Sequence, residues 1–154
     1  MEFKIADYKI ESINDNVSSN DLIPKNIKHM NVTELWNCGY KGEGIVIGIL
    51  DTGAEVTHNS LKTNFLKGRN FIENGELDDY KDRQGHGTHV TSIACGCPDG
   101  VNPGVYGVAP NAKFMIGKVL DDNGNGTYKS VLDGFKWLID EGVDIINASI
   151  GGAG

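Results

Sequence analysis

The sequence predicts an α/β fold, a parallel sheet with helices on both faces, and three observations carry that prediction. An apolar run rich in branched residues at 44–50 (GIVIGIL) has the pattern of a strand buried on both faces, 113–120 (KFMIGKVL) is a second strand candidate, and 143–150 (VDIINASI) is a third, apolar on both faces. Segments with apolar residues at helical spacing separate them, at 86–96 and 127–142. Strand, helix, strand, helix, strand is the order of a parallel sheet whose crossovers pack on its faces.

Residues 1–21 read as an N-terminal extension. KIADYKI (4–10) alternates as a short strand would, and SINDNVSSND (12–21) reads as loop. A short helix is expected over 32–37, with Asn31 or Thr33 at its N-cap and Gly39 as its stop. After the first apolar run, the Asn-, Asp- and Gly-rich stretch 62–84 reads as surface loop. HGTHVTSIACG (86–96) places Val90, Ile93 and Ala94 at helical spacing, and PDGVNPGVYGVAPN (98–111) is turn chemistry. The clearest helix is TYKSVLDGFKWLIDEG (127–142), with Val131, Leu132, Phe135, Leu138 and Ile139 expected on its buried face and Gly142 ending it.

Composition narrows the function classes. The chain has 154 residues, one domain's worth, with 39% hydrophobic and 23% charged residues, the balance of an ordinary globular protein. Its 21 acidic against 14 basic side chains give a net charge of -7, which argues against a nucleic-acid partner. No apolar run approaches membrane-spanning length, and the first residues lack the basic and apolar regions of a secretory signal. Three cysteines, Cys38, Cys95 and Cys97, make a disulfide framework unexpected and suit a reducing cytoplasm. Cys95-Gly96-Cys97 is too tight for the usual zinc knuckle, so no metal is assigned there.

The first apolar run ends on Asp51-Thr52-Gly53, and an acid so placed has three readings. It can be half of a carboxylate pair sharing one proton, an acid that orients a histidine, or a strand end with a tight turn. A resemblance to the single-motif aspartic proteases would imply a small all-β chain that dimerises, with an apolar pair followed by a glycine well downstream. Here FLKG (65–68) follows Asp51 too closely, and the helix-periodic segments contradict an all-β fold. In a parallel sheet, by contrast, Asp51 falls at a strand's carboxyl end, where such folds place functional groups. GHGTHV (85–90) then supplies a histidine opening a helix, with glycines on both sides. The helix N-terminus disfavours imidazolium, while a buried carboxylate favours it and selects the tautomer. Together they suit a general base.

Four blocks now stand in order: Asp51-Thr52-Gly53, Gly85-His86-Gly87-Thr88-His89-Val90, Gly107-Val108-Ala109-Pro110 and Ser149-Ile150-Gly151-Gly152. In order and approximate spacing they resemble the subtilisin-like serine proteases, and the resemblance runs from about residue 23 to 154. The short extension and the cysteine pattern are most like the intracellular branch, where such an extension replaces a long prodomain and can block the active site. The resemblance implies that 22–154 are the N-terminal part of a peptidase domain, with Asp51 as orienting acid and His86 as general base. His89 and His58 match structural histidines of the family, and His29, which has no motif around it, is expected at the surface. Leu120, Asn123, Gly124, Asn125 and Gly126 match the backbone rail that binds a peptide or protein substrate as an added strand. Ser149, Ile150 and Gly151 match the opposite rail and a wall of the main specificity pocket, and Tyr128 a residue beside a more distant pocket.

The sequence also departs from that family pattern. No serine lies in a Gly-Thr-Ser-Met-Ala setting, and the asparagine that donates to the oxyanion has no counterpart. The expectation is therefore the N-terminal part of a longer protease, inactive alone and partnered by the C-terminal half of the peptidase domain. The run 143–150, apolar on both faces, would otherwise leave an exposed sheet edge. The alternative is a non-catalytic truncated remnant that binds peptides or a partner. Calcium is a structural ion of the family, but Asn59-Ser60 stands where the family has Pro-Asp, so the usual carboxylate is not matched and no cofactor is assigned.

Overall fold

A computed structural model describes residues 2–4, 23–100 and 104–152, with only the backbone of 2–4. Its elements run β1 (Glu2–Lys4), α1 (Lys25–His29), α2 (Val32–Asn37), β2 (Val46–Asp51), β3 (Phe65–Asn70), α3 (His86–Cys95), β4 (Lys113–Lys118), β5 (Asn125–Thr127), α4 (Tyr128–Asp140), β6 (Ile145–Ala148) and β7 (Gly151–Gly152). Four strands form a parallel sheet in the order β3-β4-β2-β6. A smaller antiparallel sheet has the order β5-β1-β7. The α/β class read from the sequence is what the chain forms.

Period-two alternation along β2 and β4 divides the core between the two sheet faces. Ile47 and Ile49 join Phe114 and Ile116 on one face, where Val90, Ala94 and Cys95 of α3 cover them. Leu50 joins Met115 and Val119 on the other, beneath Val131, Trp137 and Leu138 of α4. Strands covered on both sides must be apolar at every position, which is why β2 reads as a continuous hydrophobic run. The register sets Asp51, the last residue of β2, beside Lys118, the last of β4.

Several local expectations meet their structural outcome here. Helix α2 covers the expected residues, with Asn31 at the N-cap position in the left-handed region but making no side-chain cap bond. Helix α4 is capped by Thr127, whose side chain accepts from Ser130 N while Ser130 Oγ accepts from Thr127 N. Gly39 and Gly142, at φ +92° and +75°, stand just past the ends of α2 and α4. The expected strand at 4–10 falls almost wholly outside the described residues. Among the described residues, no helix is long and apolar enough to cross a membrane.

Two readings are corrected. The stretch 62–84 is not all loop, because β3 lies within it. It pairs with β4 alone, at the sheet's edge, so only one side is held and a mostly polar hexapeptide suffices. The buried face of α4 is also rotated from the one expected. Ser130, Val131, Gly134, Trp137 and Leu138 are buried, whereas Leu132 and Ile139 are 43% and 66% exposed. Gly134 explains the shift: a Cβ there would lie 2.6 Å from Val119 Cγ1, so the helix backbone itself sits down on the sheet.

That rotation predicts unequal costs at neighbouring positions. Leu138→Ala, in the closed core, should destabilise by about 2–5 kcal/mol, and Ile139→Ala by no more than about 0.5 kcal/mol. Chemical denaturation of the two variants compares them directly. Equal losses would restore the face expected from sequence.

Candidate active site

Asp51 is fully buried at the carboxyl end of β2. His86, the first residue of α3, has a side chain 15% exposed, and its Nδ1 lies 2.8 Å from Asp51 Oδ1. Thr52 N donates to the same oxygen at 2.8 Å. Asp51 Oδ2 is buried without a hydrogen-bond partner among the described residues. Burial raises the Asp51 carboxyl above the ordinary aspartate range, against the opposing pull of the His86 and Thr52 hydrogen bonds. A carboxylate at Nδ1 holds the ring proton there and leaves Nε2 as the basic nitrogen.

Missing Cβ atoms make this approach feasible. A Cβ on Gly87 would lie 2.1 Å from Gly53 O and 3.1 Å from Asp51 Cβ. One on Gly53, at φ +107°, would lie 2.4 Å from Tyr80 O. The first turn of α3 therefore seats directly on the turn after β2, with Gly87 N donating to Thr52 Oγ1 at 3.0 Å.

The proposed rail begins against the acid. Val119 N and Leu120 N both donate to Asp51 O, at 2.9 and 3.2 Å, and Leu120 is buried. A turn follows in which Asp121 Oδ1 accepts from Asn123 N and Asn125 N and Gly124 takes φ +77°. Asn125 and Gly126 then enter β5, opposite Lys4 and Phe3 of β1. From the other side, Gly151 and Gly152 of β7 face the same two residues. Ile150 packs on the α4 side of the core, and the exposed Ser149 accepts from Asn147 Nδ2. Tyr128 opens α4 and is 55% exposed.

The remaining histidines stand apart from this pair. His58 is exposed and its Nδ1 accepts from Ser60 N, and His29 is exposed at the end of α1. His89, also exposed, lines a separate cavity with Pro24, Ile27, Ser92 and Tyr106.

Three neighbours of the acid were given no role of their own in the sequence. Thr52 carries the hydroxyl that receives Gly87 N. Lys118 is buried, with Nζ donating to Thr52 O at 2.6 Å and to Asp122 Oδ1 at 2.8 Å. Asp82 is 9% exposed and takes up the hydroxyl proton of Thr52 at 2.9 Å. A lysine ending an apolar strand and an acid in a polar loop both look solvated in a sequence, because hydropathy does not register pairing.

Among the described residues, no group of three or more His, Cys, Asp or Glu side chains could hold a metal ion. Ser60 Oγ accepts from Val105 N at 2.8 Å, and Asp99 is paired with Lys62 at 2.7 Å. Burial pushes the Cys95 thiol up to about 12, which keeps it protonated at neutral pH.

Comparison with known proteins places this geometry in context. The family model described as the subtilase family matches residues 42–154. The "Major intracellular serine protease" of Bacillus subtilis (strain 168) is 37% identical over 142 residues, covering 90% of this chain and 44% of that protein. The "Intracellular serine protease" of Paenibacillus polymyxa is 38% identical over 132 residues, covering 84% and 40%. "Subtilisin E" of Bacillus subtilis (strain 168) is 34% identical over 130 residues, covering 84% and 33%. The chain thus spans less than half the length of these relatives. Family match and relatives agree: the chain belongs to the subtilase family of serine proteases.

Proposed function

We propose that this chain carries the acid and the base of a subtilisin-like serine endopeptidase acting in the cytoplasm. The observation that carries the reading is the 2.8 Å contact of His86 Nδ1 with Asp51 Oδ1 where a helix start meets a strand end. The cytoplasmic assignment draws on the two relatives named as intracellular proteases and on Cys38, Cys95 and Cys97 being free thiols.

In this reading a serine outside these 154 residues attacks the scissile carbonyl carbon while its hydroxyl proton passes to His86 Nε2. His86, now cationic beside Asp51, returns the proton to the leaving amine as the carbon–nitrogen bond breaks. Water then repeats the cycle on the acyl-enzyme, again through His86. The substrate lies extended between the segment Leu120 to Gly126 and the segment Ser149 to Gly151, making main-chain bonds to both.

The pairing of β1 supports an inhibitory role for residues 1–21. β1 sits between β5 and β7 and is antiparallel to both. Going from Glu2 to Lys4, its partners run from Thr127 back to Asn125, toward Leu120 and the acid. A strand there uses the backbone groups an incoming peptide needs, so the extension competes with substrate.

The 154 residues alone should cleave no peptide, and joining them to a segment carrying the family's nucleophile motif should create activity. In that completed enzyme His86→Ala should cost about a million-fold in turnover and Asp51→Ala about ten-thousand-fold or more, sizes carried over from subtilisin triads rather than read from this geometry. Losing both should cost little beyond His86→Ala, because the members act as a unit. Hydrolysis of a peptide amide, with a serine-directed covalent inhibitor as control, measures all five proteins. Cleavage by the 154 residues that ignores the inhibitor would refute the serine mechanism.

Removing residues 1–21 from the completed enzyme should raise peptide turnover, chiefly by lowering the apparent KM. A rate unchanged at every substrate concentration would leave these residues an ordinary terminus.

A further inference from the structure

We propose that Asp82 is a positioning residue for His86, holding the base against Asp51 through Thr52 and the first turn of α3. The inference rests on the reading of His86 as the base, but it concerns the geometry of the ring rather than peptide cleavage.

Asp82 is buried and has no cationic side chain beside it among the described residues. Its charge is carried by hydrogen bonds instead. Oδ1 accepts from Thr52 Oγ1, Gln84 N and Gly85 N at 2.9, 3.0 and 2.8 Å. Oδ2 accepts from Thr88 N and Thr88 Oγ1 at 2.8 and 2.6 Å. Burial alone would raise the carboxyl, yet the bonds from Thr88, Gly85 and Thr52 outweigh it and hold Asp82 below the ordinary aspartate range. Asp82 is therefore an acceptor only at neutral pH.

An acceptor that cannot donate fixes the direction of every hydroxyl around it. Thr52 must give its single proton to Asp82, so its oxygen turns a lone pair to Gly87 N. Thr88 must do the same, and its oxygen accepts from Glu55 N at 3.0 Å. Gly85, the N-cap of α3, offers no side chain, and Asp82 supplies the missing acceptor from three residues upstream. His86 N is received by Gln84 Oε1, at 2.8 Å, while the Gln84 backbone is itself held by Asp82.

These bonds close a loop around the catalytic contact. Asp51 is covalently joined to Thr52, and Thr52 N also donates to Asp51 Oδ1. Thr52 is bonded to Asp82, and Asp82 holds the turn on which His86 is carried. Thr52 and Asp82 thus supply a hydrogen-bonded path from the acid to the turn that carries the base, beside the direct bond between the two. An asparagine at position 82 would set an amide donor among donors and leave part of this cage unpaired.

Nuclear magnetic resonance of the His86 ring tests the proposal in the folded 154-residue chain. In Asp82→Asn, the His86 Nδ1 proton should exchange with solvent at least about tenfold faster, as expected for the loss of charge-assisted bonds, and the ring's titration midpoint should move. Thr52→Val, which breaks the link but keeps the carboxylate, should do likewise, and Thr52→Ser should restore the original behaviour. Asp79→Asn, at a surface acid nearby, should change neither reading. Should Asp82→Asn not fold, the Thr52→Val and Thr52→Ser pair decides the matter by the same criteria. Variants that unfold more easily yet keep the proton's exchange and the ring's titration would make Asp82 a helix cap only, and would overturn the proposal without touching the serine-protease reading.

Discussion

The seating of the first turn of α3 on the turn after β2 is the constraint from which the rest of the site follows. Two backbones must touch for His86 to reach Asp51, and Gly87 can have no Cβ because Gly53 O would lie 2.1 Å from it. Once seated, the turn has backbone amides pointing into protein rather than water. Such amides cost free energy unless each finds an acceptor. Gln84, Thr52 and Asp82 provide those acceptors, so the polar shell around the acid follows from the close approach.

Burying ionic groups at the end of an apolar strand carries its own cost. Asp51, Asp82 and Lys118 are each nearly inaccessible. An isolated ion in such surroundings would be strongly destabilising, and removing one partner of a buried set commonly costs about 3–5 kcal/mol. The set is arranged so that Thr52 lies between opposite charges, its hydroxyl donating to Asp82 and its carbonyl accepting from Lys118. Both charges thus act on the backbone next to Asp51. The arrangement thus holds the backbone beside Asp51, the residue that His86 contacts.

The sequence was most legible where burial is total. The runs that became β2 and β4 announce themselves because strands covered on two faces are mostly apolar, whereas β6 is apolar in sequence although Ile145 is 54% exposed and the rest of it is half-buried. Asp51 and His86 were readable because motif and strand-helix context agreed. Legibility failed where structure rests on partners distant in the chain. β3 leaves Leu66, Lys67 and Arg69 exposed at the sheet's edge, so its sequence carries no continuous apolar run. The α4 stripe was misplaced because a glycine, Gly134, marks the closest contact, and a hydrophobic count gives glycine no weight. Asp82 looked like one more loop acid: four of its five donors lie within six residues, and the one that ties it to the acid, Thr52, is 30 residues away and is brought there only by the fold.

The proposed peptide rail inherits its accuracy from the same strand end. β4 supplies Lys118 and then, without a break, Val119 and Leu120, whose amides both bond Asp51 O. The rail is therefore attached to the acid by its own backbone and not by a flexible loop. Beyond it, Asp121 closes a tight turn by accepting from Asn123 N and Asn125 N, which aims β5 back along the edge. A strand added between β5 and β7 is thereby held in register with Asp51, and β1 occupies that register now. An edge open enough to receive any extended peptide is an aggregation hazard when bare. Covering it with the chain's own first strand answers that hazard, and in the reading proposed above the same contact is the one a substrate has to displace.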